Sequence, residues 1–323
     1  MAYRKLYLTA TGCSGIRSVQ TETSHSNLSA NCSIECSGTT LDLSDEVTVD
    51  GGYDSDHGIL FRGYVKKIEK MIPDKTYKIT VHDPLIRAVD MFLASDDPEA
   101  PLTFNSISDY DLVNAMLGEA GLPNVVSAPP FPQFVFGTNA DGAKFNLQSV
   151  ADVLQFIASI TGRLIYADNA GDIYYVDRKP YVDGDSPTLT FVGGNGGNII
   201  DSSYEKANDK IRSRVVCYGK TPIKATAEAP SPYTVVTQTA VIAHELIDLQ
   251  SLAESVASIN LTLLNRLQET YSVTVEGSHN IQARKVASLT EPYLGASGRS
   301  VYLYRVSHTI GEAGFVTSCT CIP

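Results

Sequence analysis

The sequence predicts an α+β, β-rich chain in which two β-barrel-like domains flank a small inserted α+β module. Three observations carry this. The first and last thirds alternate apolar and polar residues at the period of strands, a short phrase in the middle occurs twice at helical spacing, and one long amphipathic helix precedes the final strands. The expected divisions are 1–98 for the N-terminal barrel domain, 99–200 for the α+β module with its duplicated helix-strand unit, and 201–323 for the second barrel-like domain, with the long helix at 248–269.

In the first region Tyr3 to Thr9 and Ile16 to Thr23 alternate, and Cys32, Ile34 and Cys36 share one strand face. A loop at 50–58 leads into Ile59 to Ile68, which is joined through a turn at Pro73-Asp74 to Thr76 to Val81. Gly63 marks a bend or a close backbone approach in that hairpin. Pro84 to Ala94 reads as a helix with Leu85, Ala88, Val89 and Phe92 on one side.

The module holds the repeat. Phe104-Asn105-Ser106-Ile107-Ser108, followed by Asp111 and closed by Gly121, recurs 41 positions later as Phe145-Asn146-Leu147-Gln148-Ser149, Asp152 and Gly162. Each copy is an extended entry, a Ser N-cap with an acid three residues on, about three helical turns and a glycine that can take φ > 0. The second copy runs into a hairpin, Arg163 to Tyr166 and Ile173 to Val176, around a turn at 168–171. A Pro-rich loop is expected at 128–132, and Gly193 to Gly197 forms a flexible turn or domain boundary.

Beyond it, Lys210 to Tyr218 reads as a strand and 225–232 as a loop. Leu249, Leu252, Val256, Ile259, Leu263 and Leu267 make a single apolar stripe on the long helix, which must lie on a sheet. Tyr271 to Gly277, Val301 to Val306 and Phe315 to Ile322 supply the last strands.

A net charge of −11 excludes a phosphate-neutralising surface, which needs clustered Lys and Arg; the densest group is Lys66, Lys67 and Lys70. The chain holds no signal-peptide core and no window of about 18 apolar residues, so the expectation is a soluble protein made in the cytosol, with no membrane span and six reduced cysteines.

Motifs with chemistry are few. His244-Glu245 begins like H-E-x-x-H, but Asp248 stands where the second His is needed. Asp54 to Gly58 has acidic calcium-loop spacing without the bidentate Glu. The Gly193–Gly197 run lacks the G-K-[ST] ending of a phosphate-binding loop, and no G-x-S-x-G elbow occurs. Cys32 and Cys36 share one strand face and Cys319 and Cys321 another. If those strands met, four thiolates could hold zinc or an iron–sulfur cluster. The other reading is that they are small apolar core residues; neither spacing is a C-x-x-C knuckle. Cys13 and Cys217 have no partner pattern, and no catalytic constellation is present.

The order of parts resembles the tail or baseplate hub proteins of tailed bacteriophages, the group that includes late control protein D and the hub half of the type VI secretion spike protein VgrG. The matching pieces are Phe61-Arg62-Gly63-Tyr64-Val65, Tyr77 to Val81 with Asp83, Ser149 to Ala158 with Gly162, and Val273-Thr274-Val275-Glu276-Gly277. The resemblance implies tail-tube-like barrels, a homotrimer forming a pseudo-sixfold ring, a tail tube or distal tail protein above, a tip or fibre protein below, and a channel for DNA without sequence-specific binding. It also implies a place in the virion tail after assembly in the host cytoplasm. It implies no catalytic residues, since no lysozyme-like or peptidase domain is appended. Some long-tailed phage tips hold iron–sulfur clusters on cysteines. The alternatives are a phage protein that degrades peptidoglycan or polysaccharide through scattered acids, or one that binds host sugars, which many Tyr favour and the absence of Trp disfavours.

Overall fold

The structure is a computed structural model of the chain. It describes residues 5–25, 27–54, 56–72, 74–93, 101–126, 133–138, 141–177, 186–207, 211–229, 238–266 and 269–323. The expected turn residue Pro73, the Pro-rich loop at 128–132 and Leu267 lie outside these.

The first region folds as six antiparallel strands: β1 (Leu6–Ala10), β2 (Cys13–Ser24), β3 (Asn31–Thr39), β4 (Glu46–Tyr53), β5 (Asp56–Met71) and β6 (Thr76–His82). Their spatial order is β1-β4-β5-β6-β3-β2. The alternation read from sequence decides which face is dry: Cys32, Ile34 and Cys36 of β3 are fully buried with Val47, Val49, Leu60, Ile79 and Val81 in one core. At Gly63 a Cβ would sit 2.0 Å from the His82 carbonyl oxygen, so the glycine is needed for the close strand approach.

The helix expected over 84–94 is cut to one turn and a half, α1 (Ile86–Asp90), with only Ala88 of it buried and no side-chain cap. Met91 turns extended, and its carbonyl accepts the Val150 N–H at 2.9 Å, so the chain leaves the helix to form a strand, β7 (Phe92–Leu93), with the second repeat.

The module contains β8 (Leu102–Phe104), β9 (Ile107–Ser108), α2 (Asp109–Glu119), β10 (Val135–Phe136), β11 (Ala143–Phe145), β12 (Gln148–Ser149), α3 (Val150–Thr161), β13 (Arg163–Ala167) and β14 (Ile173–Asp177). The repeat is structural as well as sequential. Ser108 and Ser149 cap α2 and α3 by accepting the N–H of Asp111 and Asp152, and Gly121 and Gly162 are left-handed at φ 64° and 67°. Ser106 and Leu147, 41 residues apart, are both at positive φ. The strands β8 and β11 of the two copies pair antiparallel, with the Phe104 and Phe145 rings 6.1 Å apart.

The chain continues through β15 (Leu189–Val192), β16 (Ile199–Lys206), β17 (Arg214–Tyr218), β18 (Lys224–Glu228), β19 (Thr239–Ala243), α4 (Gln250–Arg266), β20 (Glu269–Glu276), β21 (Val286–Glu291), β22 (Ala296–Gly311) and β23 (Gly314–Ile322). Residues 225–228, part of the loop expected over 225–232, are strand because Lys224 to Glu228 pair with β17. The long helix lies on a sheet, as its stripe requires, but the sheet is the small one of β17, β18 and β19, with α3 alongside. The buried side is Leu252, Ala253, Val256, Ala257 and Leu261, while Leu249 precedes the helix, 39% exposed. These residues share one apolar core with α2, α3 and the β13–β14 hairpin.

Neither β half closes into a barrel. The described strands instead form one open twelve-stranded sheet, because β2 pairs with β22 and joins the two halves. The second half runs β15-β21-β22-β23-β20-β16. Lettered by order along the chain, both halves read a-d-e-f-c-b, so the second repeats the topology of the first; only the a–d pair differs, antiparallel for β1–β4 and parallel for β15–β21.

The repetition extends to single residues. Tyr64 is the last residue of β5 paired with β4 and the first paired with β6; Tyr302 stands in the same place between β21 and β23. The register then steps between Val65 and Lys67 in one half and between Leu303 and Arg305 in the other. It steps again between Ile16 and Ser18 of β2 and between Ile199 and Asp201 of β16. Ser44 and Arg284 are both left-handed, φ 70° and 73°, and donate their N–H groups to the carbonyls of Val65 and Leu303 at 2.9 and 2.8 Å. Non-glycine residues avoid this region, so its use twice at equivalent places marks one geometry built twice.

Candidate assembly surface

The contact between the two halves shows what the outer strand of such a unit can do. The free edge of β2 lies along the last seven residues of β22, from Ser18 opposite Gly311 to Ser24 opposite Arg305, while β23 occupies the other edge of β22. Strand addition satisfies a row of backbone groups at once, and side chains then fix the register. Arg305 reaches diagonally to Glu22 at 2.7 Å. His25 meets the Tyr302 hydroxyl through Nδ1 at 3.0 Å and stacks on Tyr304 with ring centres 5.0 Å apart. Ile310 and Phe315, at the tip of the β22–β23 hairpin, enter the core of the first half.

Several buried titratable groups lie along or beside this seam. His308 is buried opposite Thr21; its Nδ1 lies 2.8 Å from the Thr317 hydroxyl, and burial pushes its pKa down to about 4. Asp83 leaves β6 at the entrance to the module. Burial raises its carboxyl to about 6, against hydrogen bonds from the Ala30 N–H and the Ser29 hydroxyl, each 2.8 Å, and from the Leu85 N–H. Arg284 stands close by, its guanidinium 4.0 Å above the Tyr166 ring centre and donating to the Ser24 carbonyl at 2.9 Å. It lines an open cleft with Tyr166, Asp168 and Lys285, where the module meets both halves.

The four candidate cysteines fall into two places. Cys32 and Cys36 are buried in the core of the first half, Cys319 and Cys321 in that of the second, so the structure does not bring the two pairs into one cluster. Among the described residues no group of three or more His, Cys, Asp or Glu side chains is arranged to hold a metal ion. Burial raises the Cys32 and Cys319 thiols, the latter to about 12. Aligning the halves pairs Cys32 with Tyr271, Cys36 with Val275, Cys319 with Ile79 and Cys321 with Val81, and each counterpart is an apolar or aromatic core residue or a partner of one. Packing therefore accounts for a thiol at each position.

His244 stacks on Phe156 at 3.6 Å and accepts the Leu246 N–H, a structural place in the approach to α4. The Gly193–Gly197 run is the short connection between β15 and β16, in which the Asn198 side chain accepts the Val192 N–H and donates to the Thr190 carbonyl. Sequence reasoning missed the seam itself. The two hairpins, Phe61 to Val81 and Arg299 to Cys321, share a register but almost no residues, so the repetition left no signal in the sequence.

No protein-family model and no curated protein matches this chain. Solved structures do. It is similar to the tail protein from Neisseria meningitidis MC58, at a TM-score of 0.74 and 13% identity over 98% of this chain and 96% of that one. It is similar to the 43 kDa tail protein of prophage MuSo2 from Shewanella oneidensis, at 0.69 and 12% over 99% and 98%. A component of the E. coli type VI secretion system, described as structurally similar to the T4 bacteriophage tail proteins gp27 and gp5, aligns at 0.60 and 8% over 98% and 76%. The chain has the fold of bacteriophage tail proteins, a fold shared with the type VI secretion apparatus.

Proposed function

We infer that this chain is the structural hub of a bacteriophage tail tip or baseplate. Three copies form a ring that joins the tail tube or distal tail protein above to tip or fibre proteins below and leaves a channel for DNA. One observation carries this reading: a single chain holds two six-stranded units of the same topology, already joined edge to edge through β2 and β22. Three such chains supply six units, which lets a trimer meet a sixfold tube. The overall charge of −11 fits a channel from which DNA phosphates are repelled, so that a genome slides through without adhering.

The role needs no catalytic residue, and the four buried cysteines serve as core in this reading. The test is the solution mass of the purified chain by light scattering, with metal content and visible absorbance on the same sample. The expected result is three times 34.8 kDa without stoichiometric metal, and no turnover of isolated cell wall. A monomer that cleaves cell-wall material would overturn the reading.

A further inference from the structure

In this chain β2 does not remain an edge, because β22 covers it. Its counterpart β16 does: β20 occupies one side, and the other side has no strand partner among the described residues. The counterpart of the covering strand is also open. In β5, β6 pairs with one edge of Lys67 to Met71, while β4 stops at Tyr64, so the opposite edge of that stretch has no strand among the described residues. An unpaired strand edge is a template for another chain.

The side chains at these edges are those of an interface left uncovered. Ile72 is 86% exposed; its counterpart, Ile310, is fully buried in the neighbouring half. Ile200 and Tyr204 on β16 are 65% and 40% exposed. The alignment of the halves converts the observed pairing of residues 19–24 with 305–310 into an expected pairing of 202–207 with 67–72. Ser203 then stands opposite Met71, as Gln20 stands opposite Thr309. Glu205 takes the place of Glu22, and Lys67 the place of Arg305. The acid-base pair that ties the seam within the chain, at 2.7 Å, is thus available a second time at the open edges with the same polarity, although Glu205 there faces Glu69 where Glu22 faces Ser307 in the seam.

We propose that β16 of one copy adds antiparallel to Lys67–Met71 of β5 in the next copy, with Ser203 opposite Met71, a diagonal Glu205–Lys67 ion pair, and Ile72 entering the second half's core as Ile310 enters the first. This rests on the hub reading and names its subunit interface. Each copy offers one β16 and one β5, so the contact is head to tail and grows until the rotation closes. In a ring of three, six equivalent strand junctions alternate, three within chains and three between them. Lys67, which now pairs with Glu69 on its own strand at 2.8 Å, would stand between Glu69 and Glu205.

The experiment is disulfide trapping in the full chain carrying Ser203→Cys and Met71→Cys, with Ser203→Cys and Glu69→Cys as the out-of-register control and the parent protein as a second control. Directly opposed residues lie about 4.5–5.5 Å apart at Cα, within disulfide range, whereas a two-residue offset exceeds it at roughly 7–8 Å. Oxidation of the in-register pair should give a ladder ending at three chains, and the controls should give none. Ile72→Asp should weaken association by at least about tenfold, since it removes a buried isoleucine from the contact, while the circular dichroism of the chain stays unchanged. A trimeric mass without the in-register cross-link, or with the control pair cross-linking in its place, overturns the strand pairing and leaves the ring reading standing. Ile72→Asp associating as strongly as the parent overturns it too. A monomer that never cross-links overturns both.

Discussion

Replacing Asp109 by Asn tests how the module is held together. Asp109 is fully buried at the first position of α2, and Arg163 on β13 is 3% exposed. The carboxylate pairs with the Arg163 guanidinium, accepts the Tyr175 hydroxyl at 2.6 Å and accepts the Phe134 N–H at 3.0 Å. The Tyr175 hydroxyl also meets the Thr161 hydroxyl at 3.1 Å, so one buried group ties α2, α3 and the β13–β14 hairpin. Asn keeps the shape and the acceptor for Phe134 but removes the carboxylate nearest the guanidinium, which keeps Asp177, opposite it across the β13–β14 hairpin, as its remaining acidic neighbour. Breaking a buried ion pair typically costs about 3–5 kcal/mol, and Asp177 holds the expected loss toward the lower end of that range. The assay is urea unfolding followed by circular dichroism, with the solution mass recorded at the same concentrations. The expected result is a loss in that range without a change in denaturant slope. The double variant Asp109→Leu, Arg163→Met should recover only part of the loss: it removes both ions, but it also takes away the acceptor of the Phe134 N–H and of the Tyr175 hydroxyl. A cost below about 1 kcal/mol for Asp109→Asn would show that the pair is effectively solvated and would refute this account.

Two further outcomes follow from the seam. Ile310→Ala should cost about 2–5 kcal/mol in urea unfolding, the usual price of a cavity at a fully buried aliphatic residue, whereas Ile72→Ala should change monomer stability by less than about 0.5 kcal/mol. Equal costs would mean that the two hairpin tips are not in different surroundings. The pH profile carries a pair of opposing slopes. His308, held down to about 4 by burial, contributes stability present above its unfolded pKa near 6.5 and lost as pH falls toward 4. Asp83, raised to about 6 by burial, contributes stability present below about 4 and lost as pH rises through 6. Each is worth roughly 3 kcal/mol at its limit, so the two largely offset each other between pH 4 and 6.5 in the parent. His308→Gln should therefore make stability fall with rising pH over that window, and Asp83→Asn should make it rise. Parallel profiles for the two variants would exclude the assignment.

Local structure was legible in the sequence wherever short-range chemistry decides it. The caps at Ser108 and Ser149, the glycines at 121 and 162, the β13–β14 hairpin and the alternation around Cys32 to Cys36 depend on neighbours within a few positions. The end of α1 was not legible, because Met91 turns extended to meet Val150, almost 60 residues away. Nor was the partner of α4, whose stripe specifies an apolar surface but not which one. The candidate site was least legible. The cysteines share strand faces, as their spacing says, but which faces meet is set by strand order, and strand order places the two pairs in separate cores. The seam between β2 and β22 joins residues nearly 300 positions apart, and no local pattern announces it.

What the two halves keep in common indicates what the fold requires of them. Side chains at matched positions differ freely: Cys32 against Tyr271, Lys70 against His308, Ser44 against Arg284. The register steps, the left-handed residues at 44 and 284 and the change of partner at Tyr64 and Tyr302 are kept. The steps in β5 and β22, the two left-handed residues and the change of partner lie where one long strand stops pairing with the strand before it in the path and frees an edge. A step in register increases local twist and turns the following stretch away from the sheet it began in. In β22 the stretch so turned carries β2. The same register step stands in β5 before residues 67–71, whose outer edge has no strand partner among the described residues and whose hairpin carries Ile72 86% exposed, and an unpaired edge is a template for another chain. The geometry that makes the contact within the chain is therefore already built at the place where a second copy would bind.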